Sequence, residues 1–150
     1  MHISIRIAEE RDVEQLAALR KRWNEERFEE EIDDPSFAAA FRTWWDDERA
    51  TRTFFIVEGD GAPIGMANVK RYRRMPAAGQ HRAGEWGYVG NVFVLPEHRD
   101  AGIGQALMEH LTSWAGSAGL VHLRLAPSPR SVTFYERLGF VPGAVVELDP

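Results

Sequence analysis

The stretch VFVLPEHRDAGIGQALMEHL, residues 92–111, joins an apolar β-like run, a turn with two glycines and an amphipathic helix. The helix is predicted because Ile103, Leu107 and Leu111 recur at helical spacing. Its first turn presents unpaired N–H groups and a partial positive charge. Glycines let an anionic group approach those amides closely. The stretch therefore predicts a binding site for a phosphate-bearing ligand, the alternative being a tight turn packed on the sheet without a ligand.

Two nucleotide-binding motifs share glycines with this turn, but neither fits it. A Walker A loop needs a lysine after its last glycine, whereas Gln105 follows Gly104 here. A dinucleotide fingerprint needs a third glycine, and that position is Leu107. The remaining pattern is R-x-x-G-x-G from Arg99 to Gly104, which suits a diphosphate bound without a metal ion.

The composition limits the classes of protein and partner. The chain has 150 residues, 44% of them hydrophobic, which predicts one compact domain over residues 1–150. It has no cysteine, so disulfides and cysteine-based zinc sites are excluded. The net charge of −5 argues against duplex nucleic acid as a partner. No run is apolar enough to span a membrane, and MHISIRIAEE lacks the layout of a secretion signal, so we expect a cytoplasmic protein without a membrane partner.

The order of predicted elements is β α α β β β α β α β. An early hairpin is indicated by β-prone runs on both sides of GDGAP, residues 59–63. Asp12 and Asp34 are predicted to cap the first two helices, with Gln15 completing a capping box and Pro35 in the first helical position. AVVEL, residues 144–148, is predicted as a closing strand. The order predicts an α/β fold with a mixed, mostly antiparallel central sheet flanked by helices.

Three segments resemble the GNAT superfamily of N-acetyltransferases. R-x-x-G-x-G after a strand is similar to its motif A, and SPRSVTFYERLGF, residues 128–140, resembles its second signature. IRIAEERDVEQLAALR, residues 5–20, resembles its first strand and helix. The resemblance implies the acyl-CoA N-acyltransferase fold and acetyl-CoA as co-substrate.

The resemblance also assigns cofactor contacts. It implies that Val92, Phe93 and Val94 pair with the pantetheine arm, and that Ser128 and Ser131 contact the cofactor. The implied pyrophosphate loop consists of Arg99, Asp100, Ala101, Gly102, Ile103, Gly104 and Gln105. Position 100 is often glycine in the family. An aspartate beside a diphosphate is unfavourable unless its carboxylate points to solvent.

Acetyl transfer needs a polarised carbonyl, a neutral amine and a protonated leaving thiolate. The resemblance implies Tyr135 as general acid, since a phenol is protonated at neutral pH. Glu85 is a candidate base, although the family's position falls near Tyr88. Glu85 would face the other side of a regular strand unless a bulge occurs around GYVGN, residues 87–91.

Other histidines and carboxylates yield weaker candidates. As bases, His81, His98, His110 and His122 are alternatives without support, since an ordinary surface or strand role explains each of them better. Their spacing predicts no metal site. The acceptor, a small-molecule or peptide amine, is expected between the first two helices and the loop from 73 to 84.

The acidic run at residues 25–34 suggests that this acceptor is cationic. A homodimer is among the assemblies that the resemblance implies. Two other functions remain open: a non-catalytic acyl-CoA sensor or interaction module on the same fold, and a nucleotide-binding domain.

Overall fold

The computed structural model describes residues 1–79 and 84–149. Its strands are β1 (Ile3–Ile7), β2 (Arg52–Gly59), β3 (Ala62–Arg73), β4 (Glu85–Val94) and β5 (Leu123–Arg124). Its helices are α1 (Val13–Phe28), α2 (Phe37–Glu48), α3 (Ile103–Ser117) and α4 (Val132–Arg137). None of the helices within these residues is long and apolar enough to cross a membrane.

The five strands form one sheet in the order β1-β2-β3-β4-β5. The first three pairings are antiparallel, and β4 and β5 run parallel. Helix α3 connects these two parallel strands, as a crossover must. The predicted mixed, mostly antiparallel sheet with flanking helices is confirmed.

The predicted hairpin joins β2 to β3 through a tight turn. Asp60 and Gly61 have φ angles of 49° and 81°. Two consecutive positive φ angles belong to the type I′ turn, whose twist matches that of the strands it joins. The GDGAP segment therefore acts as the sequence predicts.

The core has a layer on each face of the sheet. Consecutive strand residues point to opposite faces, and Phe54 packs against Trp45 of α2 with ring centroids 4.5 Å apart. Phe55 packs against Trp114 of α3 at 5.3 Å. Helix α1 packs beside α2. The first two helices thus cover one face and α3 covers the other.

A bulge interrupts β4 near its carboxyl end. Met66 of β3 pairs with Phe93 and Asn68 pairs with Gly90, so Asn91 and Val92 together oppose one residue of β3. Asn91 has a φ of 55°, a left-handed conformation that asparagine tolerates better than most residues. The bulge changes which side chains of β4 face α1.

Asp12 does not cap α1 with its side chain, contrary to the prediction. It lies in a 3₁₀ turn before the helix, where its Oδ2 accepts a hydrogen bond from the Glu9 N–H at 2.8 Å. The carboxylate also accepts from both terminal nitrogens of Arg6, at 2.7 and 2.8 Å. Asp12 is 3% exposed, so this ion pair draws the carboxylate inward and away from the helix end.

The start of α2 is also shifted from the prediction. The helix begins at Phe37, and Asp34 Oδ1 accepts from the Ser36 N–H at 3.1 Å in the turn before it. Asp34 therefore stabilises the entry turn, and Pro35 precedes the helix.

The predicted closing strand at residues 144–148 is wrong: this segment has no regular secondary structure. Val145 and Val146 are 78% and 98% exposed. A β-prone sequence forms a strand only against a paired edge, and β5 offers an edge of two residues.

Candidate active site

A cleft of about 1100 Å³ opens where β4, α1, α3 and α4 approach one another. Its lining residues are Trp23, Glu26, Arg27, Glu29, Val92, Phe93, Val94, His98, Arg99, Asp100, Gly102, Ile103, Gly104, Gln105, Ser128, Arg130, Ser131, Phe134, Tyr135 and Arg137. Twelve of the predicted site residues are among them. Ala101 lies in the same turn but does not line the cleft, and Glu85 lies elsewhere. We call this feature the cleft.

The turn before α3 is shaped by two left-handed residues. Asp100 has a φ of 60° and Gly102 a φ of 78°. Glycine adopts this conformation without strain, and aspartate is among the residues that tolerate it. The glycine that the family often has at position 100 is therefore explained by the left-handed backbone conformation that this turn requires there. The Asp100 side chain is exposed and borders the cleft.

The first turn of α3 offers amide donors to the cleft. The first hydrogen bond at this end runs from the Ala106 N–H to the Gly102 carbonyl at 3.0 Å. The preceding helical N–H groups lack partners within the helix, and the N-cap residue, Gly102, has no side chain that could bind them. These groups and the helix dipole suit an anion.

Gly104 is required for space rather than for backbone conformation. A Cβ atom there would lie 3.5 Å from the ring of Phe134, in ordinary contact, so a longer side chain would collide with α4 or fill the cleft. The glycine therefore keeps the amides of α3 accessible beneath the Phe134 ring.

Arg99 fixes the turn in place. Its Nε donates to the Val94 carbonyl at 2.9 Å, and its two terminal nitrogens donate to the Glu26 carboxylate at 2.6 and 2.8 Å. This pairing raises the pKa of Arg99 and lowers that of Glu26. Because Glu26 balances its charge, Arg99 supplies less positive charge to the cleft than the sequence indicates.

The outer edge of β4 is open beside the cleft. Among the described residues, β5 pairs only with Gly87 and Tyr88, so residues 89–94 have no strand on that side. Backbone groups on such an edge can pair with an extended ligand. Val92, Phe93 and Val94 line the cleft along this edge.

Tyr135 is 9% exposed and projects into the cleft from α4. Its ring packs edge-on against Phe134 and Phe140, with centroids 5.0 and 5.8 Å away. Burial raises the pKa of Tyr135 above its usual value of 10.0. The phenol is therefore protonated at neutral pH and able to donate.

Ser128 and Ser131 lie together at the start of α4. Their hydroxyl oxygens are 2.9 Å apart, and the Ser131 hydroxyl donates to the Ser128 carbonyl at 3.0 Å. Both residues border the cleft and present polar groups on its α4 side.

Glu85 is not brought to the cleft. It opens β4 opposite Arg73, on the face of the sheet away from Tyr88. A bulge does occur within the GYVGN segment, but at Asn91. Because Asn91 follows both residues, the bulge leaves Glu85 and Tyr88 on opposite faces. The position of Glu85 outside the cleft gives no support to its predicted role as base.

The histidines occupy different surroundings. His98 borders the cleft, His110 packs edge-on against Phe55, and His81 lies outside the described residues. His122 stacks on Trp86, and burial together with Arg124 and Arg74 lowers its pKa. In the ranges 1–79 and 84–149, no group of three or more His, Cys, Asp or Glu side chains could hold a metal ion.

A second, smaller cavity of about 350 Å³ lies under α1 and α2. It is lined by Leu16, Arg20, Phe37, Ala40, Phe41, Trp44, Phe54, Met66, Ala67, Asn68 and Asn91. Asn91 of the β4 bulge borders it, and the next three residues border the cleft. We call this feature the inner cavity.

Several cleft residues escaped sequence reasoning. Trp23 of α1 borders the cleft and stacks on Phe93 with ring centroids 5.5 Å apart. Arg130 and Arg137 bring positive charge from the α4 segment. Both arginines lie within the second signature, residues 128–140, and this position beside a predicted anion-binding loop could have indicated their role.

This chain is similar to acetyltransferases in part of its sequence and in its fold. A glucosamine 6-phosphate N-acetyltransferase of Trypanosoma brucei brucei is 41% identical over 54 residues, which are 36% of this chain and only 37% of that relative. A predicted acetyltransferase of Clostridium acetobutylicum, solved with acetyl-CoA, has a TM-score of 0.80 at 20% identity, covering 99% of this chain and 96% of its own. The glucosamine-6-phosphate N-acetyltransferase of Arabidopsis thaliana has a TM-score of 0.76 at 16% identity, covering 100% and 99%. These structural likenesses establish the fold.

The model of the acetyltransferase (GNAT) family matches residues 15–140, which include the motif A turn, the open edge of β4 and Tyr135. The match takes in most of the chain and every element around the cleft. The chain belongs to the acetyltransferase (GNAT) family.

Proposed function

We propose that the protein transfers the acetyl group of acetyl-CoA directly to a primary amine, without a metal ion. The observation that carries this proposal is the meeting of three features in one cleft: the amides of α3, the open edge of β4 and the buried phenol of Tyr135. A diphosphate suits the first, an extended pantetheine arm the second, and a departing thiolate the third.

In the proposed reaction, the neutral amine attacks the thioester carbonyl carbon. A C–N bond forms, the C–S bond breaks, and the sulfur takes the proton of the Tyr135 hydroxyl. The proton lost by the amine passes to water, from which Tyr135 is protonated again. Backbone N–H groups on the open edge of β4 would polarise the carbonyl.

The charge of the acceptor is a separate part of the proposal. The acidic run at residues 25–34 suggests a cationic amine, but much of its charge is engaged: Glu26 pairs with Arg99, and Glu25 accepts from the Ile32 N–H at 2.9 Å. Faster acetylation of cationic than of neutral amines at low salt would support the suggestion, and equal rates would refute it. The two glucosamine-6-phosphate enzymes above act on an amine that also bears an anionic group.

A second candidate function is a non-catalytic acyl-CoA sensor or interaction module. The position of Glu85 outside the cleft and the carboxylate of Asp100 within it favour this alternative. Release of free thiol from acetyl-CoA in the presence of a panel of amines separates the two functions, since a sensor binds acetyl-CoA without releasing thiol. A thermal-shift comparison of acetyl-CoA, NAD and ATP tests the nucleotide-binding alternative, because our proposal expects stabilisation by acetyl-CoA alone.

A further inference from the structure

The inner cavity has mostly apolar walls, and the charge among its lining residues is positive. Its sides are mostly aromatic and aliphatic, contributed by α2 and the sheet: Phe37, Phe41, Trp44, Phe54 and Met66. None of its lining residues is acidic. Its volume is at the low end of the ~300–1,000 Å³ found for small-molecule sites. The cavity therefore suits the apolar part of a small molecule and offers no partner to a polycation.

Arg20 brings a positive charge to this cavity from α1. It is half-buried, and its guanidinium carbon lies 4.6 Å from the centre of the Trp23 ring. Burial lowers the pKa of Arg20, and the nearby charge of Arg27 adds to this effect. Across residues 1–79 and 84–149, no carboxylate forms an ion pair with Arg20.

An unpaired, partly buried guanidinium is unfavourable for the protein alone. Neighbouring cations, by contrast, have hydrogen-bond partners within the protein. Arg52 donates to the side-chain carbonyl oxygen of Asn68 at 2.7 Å, and Lys70 donates to the carboxylate of Glu48 at 2.6 Å. A ligand that placed an anion beside Arg20 would offset the free-energy cost of burying its unpaired charge. A carboxylate is the smallest common group that matches the guanidinium fork.

Asn68 adds a neutral donor at the floor of the cavity. It is 4% exposed, and its carbonyl oxygen is engaged by Arg52. Its NH₂ group is left as a donor at the cavity wall. A carboxylate held between Arg20 and Asn68 would thus meet a charged and a neutral donor.

The inner cavity also lies in the right place for an acceptor. Arg20 contacts Trp23, and Trp23 stacks on Phe93, which lines the cleft along the open edge of β4. Asn91 borders the inner cavity where Val92 begins the cleft. A small molecule anchored at Arg20 can therefore extend its amine toward the predicted position of the thioester.

We propose that the inner cavity binds an acceptor amine that carries a carboxylate and an apolar side chain, as a hydrophobic amino acid does, with Arg20 pairing with the carboxylate. The inference rests on the proposed function for the identity of the reaction, but the binding itself can be measured without turnover. It differs from the acidic-run prediction, because it requires an anionic group on the acceptor.

The test compares two probes that differ in the carboxylate: N-acetyl-L-phenylalanine and N-acetylphenethylamine. Their affinities are measured by calorimetry with the full-length protein, without acetyl-CoA. We expect the carboxylate probe to bind about tenfold to a hundredfold more tightly. Arg20→Gln should remove that preference and leave acetyl-CoA affinity unchanged, whereas Arg20→Lys should retain part of it.

Lys21→Gln is the matched control, since it removes a neighbouring charge whose Nζ lies 3.9 Å from Glu25 outside the cavity. It should keep the full preference. Equal affinity of the two probes for the wild-type protein, no binding of either, or an unchanged preference in a folded Arg20→Gln variant would each overturn the inference. Thiol release with L-phenylalanine and phenethylamine is measured in parallel. If the wild-type protein prefers the carboxylate probe but releases no thiol with either amine, the result would count against the proposed reaction. The inference about acceptor binding would still stand.

Discussion

The chemistry proposed for the cleft depends on a few residues whose charge is set by their surroundings. Burial raises the pKa of Tyr135, and the charge of Arg99 is balanced by Glu26. Asp100 places a carboxylate beside the predicted phosphate site. No residue is assigned the role of accepting the proton of the amine. The proposed step therefore depends most on the side chain of Tyr135.

We expect Tyr135→Phe to lower kcat by about 10²-fold or more, with a smaller effect on KM, because it removes a proton donor used in the transition state. Steady-state thiol release measures both constants. In the wild-type protein the donor is lost only as pH rises through the raised pKa, so this step should not limit kcat below about pH 10. An unaltered kcat in the variant would show that Tyr135 is not the acid.

Asp100→Asn tests whether the carboxylate weakens cofactor binding. Asparagine tolerates the left-handed conformation, so the change removes a charge without disturbing the turn. We expect acetyl-CoA to bind about two- to fivefold more tightly at low salt, with the gain shrinking as salt increases. Asp60→Asn is a matched control, because Asp60 has a φ of 49° in the distant β2–β3 hairpin turn. Equal gains in both variants would rule out a local effect.

At the scale of elements, α3 and β4 supply the geometry that individual side chains cannot. The motif A pattern predicted the turn and the helix correctly because glycine spacing reports local backbone demands. The bulge at Asn91 and the partial pairing of β5 depend on contacts between distant strands, so no local pattern specified them. The same reason explains the closing strand that did not form. The face on which Glu85 lies, by contrast, follows from the two-residue period of a regular strand.

The 3₁₀ turn before α1 shows how an ion pair can replace a predicted cap. We expect Asp12→Asn to reduce the free energy of unfolding by about 2 kcal/mol at pH 7, because Arg6 would lose its buried partner. Arg6 lowers the pKa of Asp12. This stabilisation is therefore complete above the carboxyl's unfolded pKa of about 3.9 and is lost as pH falls through the lower folded value.

Urea unfolding of the two proteins at pH 7 and pH 2.5 checks this expectation, and their difference should be clearly smaller at the lower pH. Asp46→Asn removes an exposed carboxylate 3.7 Å from Arg42 and should change stability by less than about 0.5 kcal/mol. A difference for Asp12→Asn that persists undiminished at acidic pH would mean that the charge of Asp12 is not its source.

At the scale of the whole molecule, an acidic chain of net charge −5 would need local features to bind the proposed anionic cofactor. Arg130 and Arg137 of the α4 segment border the cleft near the amides of α3. The sequence predicted the mixed sheet and the helices that flank it, because these follow from periodicity and from the resemblance to a family. It did not predict the inner cavity, which exists only where α1, α2, β3 and the β4 bulge are packed together.

Arg130→Gln should weaken acetyl-CoA binding by about three- to tenfold at low salt, and the loss should diminish at high salt. Arg11→Gln, which removes an exposed charge 2.9 Å from Glu9, should leave the affinity unchanged. Fluorescence or calorimetric titration over a range of salt concentrations measures both. A salt-independent loss would indicate a change of structure instead of a lost charge.

The central claim is that the cleft beneath Phe134 binds acetyl-CoA through the start of α3. Calorimetric titration of acetyl-CoA into the wild-type protein, Gly104→Trp and Gly116→Trp tests it most directly. Gly116 lies on the same helix with open space around its Cβ position, so its variant controls for the effect of tryptophan on α3. We predict binding to the wild-type protein and to Gly116→Trp, and none to Gly104→Trp. Unchanged affinity in a folded Gly104→Trp variant would contradict the account.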